Sequence, residues 1–118
     1  MNWVKRLAPL REEGVLIVGS GNLVHNLHSY AWGREGVHAY DWAVRFEQWV
    51  REFLLVGDDV SLVVYEDLGR DVMFSVLTFD HYLSLLYILG LRRTDDFVSF
   101  PVEGVDGGSV SMLAVRIG

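Results

Sequence analysis

The chain has 118 residues and no cysteine, with 10 basic against 16 acidic side chains and a net charge of −6. Such a length predicts a single domain over residues 1–118. The absence of cysteine excludes disulfides, thiolate metal sites and thiol nucleophiles. The acidic balance argues against nucleic acid as a partner, because its binding requires neutralisation of phosphates. No apolar run reaches the roughly 18 residues of a membrane span, and the N-terminal residues do not have the charged and then apolar pattern of a signal peptide. We therefore expect a cytoplasmic protein.

The first third of the chain predicts a short helix, a strand and a glycine-rich turn. Residues 1–13 form an amphipathic lead-in that Pro9 interrupts. Val15–Val18 is a continuous aliphatic run, which is typical of a strand buried on both faces of a parallel sheet. Gly19–Asn22 follows it. This segment is either a tight turn between the strand and a helix, or a loop whose backbone N–H groups face a ligand.

Helices are predicted for the middle of the chain. Between Trp42 and Leu54 the apolar side chains follow a period of 3.6 residues, and residues 57–59 end that helix. Residues 60–76 have mixed signals, and we interpret them as helical. Asp80–Leu89 is apolar nearly all round, which predicts a buried helix with Thr78 or Asp80 at its N-terminus and Gly90 at its C-terminus.

Two strands are predicted at the end of the chain, Phe97–Val102 and Ser109–Ile117, around a glycine-rich turn at 103–108. Together with Val15–Val18 they predict an α/β fold with about three central strands and helices packed on them. The apolar edge of such a small sheet would attract another chain. We therefore expect either a homo-oligomer or an obligate partner.

Each of the four histidines has more than one interpretation. His25, at the start of a predicted helix beyond the glycine-rich turn, is a candidate acid or base because its ordinary pKa lies near 6.5. His28 is either a second ligand beside it or an exposed side chain, and His38 is a solvated loop residue. His81 lies in the first turn of the apolar helix, where the helix dipole favours a neutral ring. It is either a metal ligand or a hydrogen-bonded core histidine.

Four segments resemble one family. They are Gly-Ser-Gly-Asn-Leu-Val-His-Asn-Leu at 19–27, Asp-His-Tyr-Leu-Ser-Leu-Leu-Tyr-Ile-Leu-Gly at 80–90, Pro-Val-Glu-Gly at 101–104 and Gly-Ser-Val-Ser-Met-Leu-Ala-Val at 108–115. In order and spacing this pattern is similar to the class III extradiol ring-cleavage dioxygenases, in the branch close to DOPA 4,5-dioxygenase. The resemblance extends from Gly14 to the end of the chain and matches the C-terminal half of a larger dioxygenase sheet.

The resemblance implies a chemistry and assigns two histidines to it. Family members bind a catechol at Fe(II) or, in some members, Zn(II), and dioxygen opens the ring beside the diol. His81 matches a metal ligand, and His25 matches the acid/base beside the catechol and dioxygen. His28 and His38 match no functional position, and the residues that bind substrate are not identified. Family enzymes are about twice as long, and their other ligand histidines lie in the half that this chain lacks.

Two functions follow from this resemblance. The chain is either part of a metal-dependent extradiol dioxygenase completed by an N-terminal half, or a non-catalytic remnant that serves as a binding or self-association module. A single imidazole does not make a mononuclear site, which needs three protein ligands and open positions. We therefore expect the isolated chain to be inactive.

Overall fold

Helices dominate the fold, and the strands are short. The computed structural model describes residues 2–33, 38–65 and 69–118. Over these residues the helices are α1 (Asn2–Lys5), a 3-10 helix (Ala8–Glu13), α2 (Asp41–Val56), α3 (Asp59–Val63), α4 (Arg70–Ser75) and α5 (Asp80–Leu89). The strands are β1 (Val98–Val102), β2 (Val105–Asp106), β3 (Val110–Ser111) and β4 (Ala114–Ile117). No described helix is long and apolar enough to cross a membrane.

Helix α2 forms the centre of the core. Its side chains at Ala43, Phe46, Val50 and Leu54 are fully buried, which is the stripe that the 3.6-residue period predicts. Gly57 ends the helix at a φ of 77°, a left-handed conformation that favours glycine. The predicted helix and its end are therefore confirmed.

The helical interpretation of residues 60–76 is confirmed where the structure describes them. Asp58 caps the N-terminus of helix α3, because its carboxylate accepts a hydrogen bond of 3.1 Å from the Ser61 N–H. Helix α4 packs on α2 through Val72, which is buried. The part of the prediction that falls on residues 66–68 lies outside the described residues.

Helix α5 is confirmed with the predicted bounds and with Gly90 at its C-terminus, but its N-terminus differs from expectation. Neither Thr78 nor Asp80 caps the N-terminus, because Thr78 donates its hydroxyl hydrogen to the Asp80 carboxylate instead. Gly90 follows the last helical residue, with a right-handed φ of −64°. A glycine is needed there for space, since a Cβ would lie 2.8 Å from Cγ1 of Val4. The close approach lets α1 pack against the end of α5.

The strands pair in two antiparallel ribbons. Strand β1 pairs with β4, with Val98 opposite Ile117 and Val102 opposite Ala114, and β2 pairs with β3. The predicted strand at 97–102 is confirmed as β1. The predicted strand at 109–117 is interrupted at residues 112–113, so that β3 and β4 belong to different ribbons. The structure is thus a mixture of helices with a few antiparallel strands. The central parallel strands expected of the α/β fold are not formed among the described residues.

Val15–Val18 is the clearest correction to the sequence-based prediction. The segment belongs to no strand, and Leu16 and Val18 are 84% and 76% exposed. An aliphatic run of this kind is favourable as a strand only between two neighbouring strands that satisfy its backbone. The described residues place no strand beside it. The prediction of a buried strand is therefore wrong for the chain by itself.

The lead-in at 1–13 consists of two short helices. Pro9 lies in the first turn of the 3-10 helix, where its missing N–H costs nothing. Arg11 anchors this segment, because its guanidinium donates hydrogen bonds of 2.8 and 3.0 Å to the Asp96 carboxylate.

Candidate functional site

His25 is held by the backbone of two other elements. Its N–H donates to the carbonyl of Ser75, at the end of α4, over 2.9 Å. The residue makes isolated β-bridges, parallel to Val76 and antiparallel to Val110. This pairing on both sides replaces the helix predicted after the glycine-rich turn. The prediction of a helix start at His25 is therefore wrong.

Asn26 fixes the position of His25. Its side chain is buried, donates to the Phe74 carbonyl over 2.8 Å and accepts from the Ser29 N–H over 3.0 Å. Its backbone exchanges two hydrogen bonds with Ser109, through the Asn26 N–H and the Ser109 hydroxyl. From the sequence, Asn26 is identified only as part of the segment at 19–27 and is given no role, because Phe74 and Ser109, which it contacts, are far away along the chain.

The structure brings the two predicted site histidines together. The rings of His25 and His81 stack with centroids 3.8 Å apart and an angle of 14° between their planes. His81 lies in the first turn of α5, as the sequence predicts. The other two histidines are exposed, and the contacts of the described residues bring neither His28 nor His38 to this pair.

The glycine-rich segment at 19–22 lies directly against α5. A Cβ on Gly21 would be 2.6 Å from the carbonyl oxygen of His81, so only glycine permits this approach. The Ser84 hydroxyl donates to the Ser20 carbonyl over 2.7 Å. The segment joins no strand to a helix, so it is not the strand-to-helix turn that was one of the two predicted alternatives. It packs along α5.

One N–H of this segment determines the hydrogen-bonding state of His81. The Asn22 N–H donates to Nδ1 of His81 over 3.1 Å, so a neutral His81 carries its ring hydrogen on Nε2. The Asn22 side chain donates to the Ser111 carbonyl over 2.8 Å. The Ser111 hydroxyl in turn donates to the carboxylate of Glu47 on α2 over 2.7 Å. Sequence reasoning missed this chain of contacts, since its members are far apart along the chain.

The electrostatic surroundings favour a neutral ring at His25. Burial lowers the pKa of His25, and the neighbouring His81 lowers it further, while the Asp80 carboxylate opposes both effects. The pKa of Asp80 is itself lowered, mainly by the hydrogen bond from Thr78. The described residues give the ring nitrogens of His25 no hydrogen-bond partner. A neutral imidazole without a partner is suited to accept a proton.

A cavity of about 410 Å³ opens beside His81. One wall is the segment at 18–23, and another is the stretch at 112–115. Ser84, Leu85 and Ile88 of α5 complete the lining. This volume lies within the range of about 300–1,000 Å³ that is usual for small-molecule sites.

The histidine pair by itself does not fit a metal ion. Imidazole lone pairs lie in the ring plane, so two stacked rings direct them along parallel planes and not toward one point. In addition, Nδ1 of His81 is occupied by the Asn22 N–H. Among residues 2–33, 38–65 and 69–118, no group of three histidine, aspartate or glutamate side chains converges on a possible metal position. At most, this arrangement offers one ligand with a second imidazole beside it.

Comparison with known proteins identifies the relatives of this chain. Over 117 residues, or 97% of its length, it is 41% identical to the 4,5-DOPA dioxygenase extradiol of Escherichia coli K12, and it covers 42% of that protein. The chain is a homologue of the DOPA extradiol dioxygenases. The enzyme of the same name from Beta vulgaris is 29% identical over 89% of the chain, which covers 38% of that protein. This relation agrees with the resemblance found in the sequence.

A solved structure supports the same relation. The chain superposes on the crystal structure of an uncharacterized protein from Escherichia coli K12 with a TM-score of 0.88 and 40% identity. The match includes 98% of this chain and 48% of the other. The chain thus covers between 38% and 48% of the length of these relatives. No protein-family model matches it.

Proposed function

We propose that this chain is one half of a metal-dependent extradiol dioxygenase that opens catechol-type rings with dioxygen. The observation that carries the proposal is the stacking of His25 on His81 at 3.8 Å, since these are the two residues that the family resemblance assigns to the site. The relatives are named for DOPA, so a DOPA-like catechol is the proposed substrate. The remaining ligands for Fe(II) or Zn(II) would come from a second polypeptide segment, corresponding to the half of the relatives that this chain does not match.

The proposed roles of the two histidines differ. His81 would contribute one metal ligand, in exchange for its contact with the Asn22 N–H. The parallel ring of His25 lies beside that ligand and is proposed to accept the proton of a catechol hydroxyl group. Its lowered pKa keeps the ring unprotonated near neutral pH, as a proton acceptor requires. The catechol would occupy the cavity that the segments at 18–23 and 112–115 enclose with α5.

The proposal is tested by reconstitution. The chain is co-expressed with the unmatched half of the Escherichia coli relative, and metal content and oxygen uptake with DOPA are measured. We expect His81→Ala to lose both metal and activity. We expect His25→Ala to keep its metal and to slow ring opening by about 10²–10⁴-fold, the usual contribution of an acid/base residue. The exposed His28→Ala is the matched control and should change neither quantity.

Two results would contradict these roles. Equal loss of metal in His25→Ala would make His25 a ligand, and a reconstituted complex without metal or oxygen uptake would refute the proposed activity. The isolated chain should bind little metal and take up no oxygen, because single imidazoles bind Fe(II) or Zn(II) weakly. Near-stoichiometric metal on the isolated chain, lost in His81→Ala, would show instead that a site forms without the second half.

One observation favours a second candidate function. Because the described residues hold no convergent group of three metal ligands, the chain is also suited to a non-catalytic role as a binding or self-association module. Under this alternative the chain forms a stable homo-oligomer, and co-expression with the unmatched half adds neither metal nor activity. Light scattering of the isolated chain at micromolar concentration tests self-association, and a monodisperse monomer would refute it.

A further inference from the structure

A second cavity of about 640 Å³ runs between two stretches of extended backbone. Residues 15–19 form one side and residues 115–118 the other, while Ile88 of α5 and Leu91, just beyond the end of α5, form the floor. We call this cavity the edge groove. It shares Val18, Gly19, Ile88 and Val115 with the cavity beside His81, so the two are continuous.

Both sides of the edge groove have backbone groups available for pairing. Strand β4 pairs with β1 on one side, and within the described residues it has no neighbour on the other. Opposite, the Val15 N–H turns back to the Leu10 carbonyl. Leu16, Ile17 and Val18 form no backbone hydrogen bond with any described residue. Unpaired backbone of this kind is a template for strand addition.

The gap matches one strand in size. A strand rises about 3.3 Å per residue and takes up about 4.8 Å between neighbours and about 10 Å between layers, hence about 160 Å³ per residue. The groove volume of about 640 Å³ therefore leaves room for a short strand, and β4, which forms one of its sides, is four residues long. Val15–Val18 and β4 do not pair with each other, and the groove separates them.

The side chains that line the groove favour a strand with apolar side chains. Leu16 and Val18 present exposed aliphatic side chains on one side, and Ile88 and Leu91 make the floor apolar. Two arginines also line the groove: Arg11 is paired with the Asp96 carboxylate, and Arg116 is exposed to solvent. A continuous aliphatic strand would form hydrogen bonds with the unpaired backbone groups on both sides of the groove and would bury its apolar side chains.

We infer that a four-residue aliphatic strand fills the edge groove and pairs with both Val15–Val18 and β4, and that it belongs to the polypeptide corresponding to the relatives' unmatched half. This inference rests on the proposed function. More than half of each relative lies outside the matched region, so the source of such a strand exists in them. Because the groove continues into the cavity beside His81, the end of the strand would reach the place where further metal ligands are needed.

The test uses the unmatched half of the Escherichia coli relative as the probe, either as a separate polypeptide or joined to residue 1 by a flexible Gly/Ser linker. Hydrogen exchange is compared with and without the probe. We expect the amides of residues 16–18 and 115–117 to slow by at least about tenfold, because both edges become hydrogen-bonded. The β2–β3 turn at residue 107, which does not line the groove, serves as the internal reference and should not change.

A variant pair tests the apolar contact. Leu16→Asp leaves the isolated chain folded, because that side chain is 84% exposed, but it should weaken probe binding by at least about tenfold. Met73→Asp, at a 72% exposed site on α4 outside the groove, is the control and should bind normally. Equal binding of the two variants would overturn the inference.

The remaining outcomes separate this inference from the proposed function. Absence of binding by either form of the probe, or binding without protection at both edges, would overturn the inference. Protection of the same amides in the isolated chain as it dimerises would assign the groove to a second copy and would also overturn it. Protected edges in a complex without metal or ring opening would refute the proposed activity and leave the strand assignment intact.

Discussion

Replacing Gly21 by alanine should disturb the histidine pair through a single steric contact. The added Cβ would lie 2.6 Å from the carbonyl oxygen of His81, whereas real Cβ contacts essentially never fall below 3.0 Å. Since that oxygen belongs to the backbone of α5, the segment at 19–22 must retreat by at least 0.4 Å, the difference of the two distances. The contact between the Asn22 N–H and His81 Nδ1 would lengthen from 3.1 Å to about 3.5 Å, at the limit of a hydrogen bond.

The expected cost follows from these two effects. Overpacking costs about 1–3 kcal/mol and the weakened hydrogen bond about 0.5–1.5 kcal/mol, so the free energy of unfolding should fall by about 1.5–4.5 kcal/mol. Urea denaturation measures this loss, and NMR of the imidazole nitrogens of His81 reports whether Nδ1 still accepts. Ser20→Ala is the matched control, because its carbonyl contact with Ser84 survives and its side chain makes no described hydrogen bond. A Gly21→Ala protein within about 0.5 kcal/mol of wild type, with unchanged His81 nitrogens, would refute the steric argument.

Two further predictions concern stability. Arg11 holds the pKa of Asp96 down to about 2, with help from the Arg93 N–H. Because this lies below the unfolded value of about 3.9, the stabilisation is complete above about pH 4 and is lost as the pH falls toward 2, by about 1 kcal/mol after solvent screening. Urea midpoints across this range should fall less steeply in Asp96→Asn, and an equal slope in both proteins would contradict the assignment. The second prediction compares two buried serines: the Ser75 hydroxyl has no described partner, whereas the Ser109 hydroxyl donates to the Asn26 carbonyl over 2.6 Å. Ser109→Ala should therefore cost about 1 kcal/mol in urea denaturation and Ser75→Ala nothing, and the reverse order would refute this accounting.

The elements that the sequence predicts correctly depend on local patterns. The stripe of Phe46, Val50 and Leu54 specifies α2 because a helix satisfies its own backbone, whatever lies elsewhere in the chain. Helix α5 follows for the same reason. The prediction of a strand at Val15–Val18 is wrong because a continuous aliphatic run is stable as a buried strand only between two neighbouring strands. The described residues place no strand beside this segment. The pattern and the isolated fold thus disagree at the place where we infer a missing strand.

The sequence also predicted only those parts of the candidate site that depend on local patterns. The apolar composition of Asp80–Leu89 placed His81 in the first turn of α5, but no local spacing relates it to His25, and only the family resemblance assigned both to one site. The roles of Asn22 and Asn26 were missed because their partners are backbone carbonyls, which carry no sequence signal. Of the two alternatives predicted for 19–22, the strand-to-helix turn was wrong for a related reason: the glycine at 21 permits a close approach to α5 that no local pattern specifies.

The contacts that assemble the histidine pair also bear on how the chain folds. Asn22 bonds to His81 across 59 residues and to Ser111 across 89, while Ser109 bonds to Asn26 across 83. Closing such long loops costs more entropy than docking α3 and α4 on α2, so the helices should be formed in the folding transition state and the segment at 22–26 should not. Substitutions at Asn22 or Asn26 should then accelerate unfolding and leave the folding rate nearly unchanged. The part of the molecule that carries the imidazoles is, on this reasoning, the last to form and the first to open.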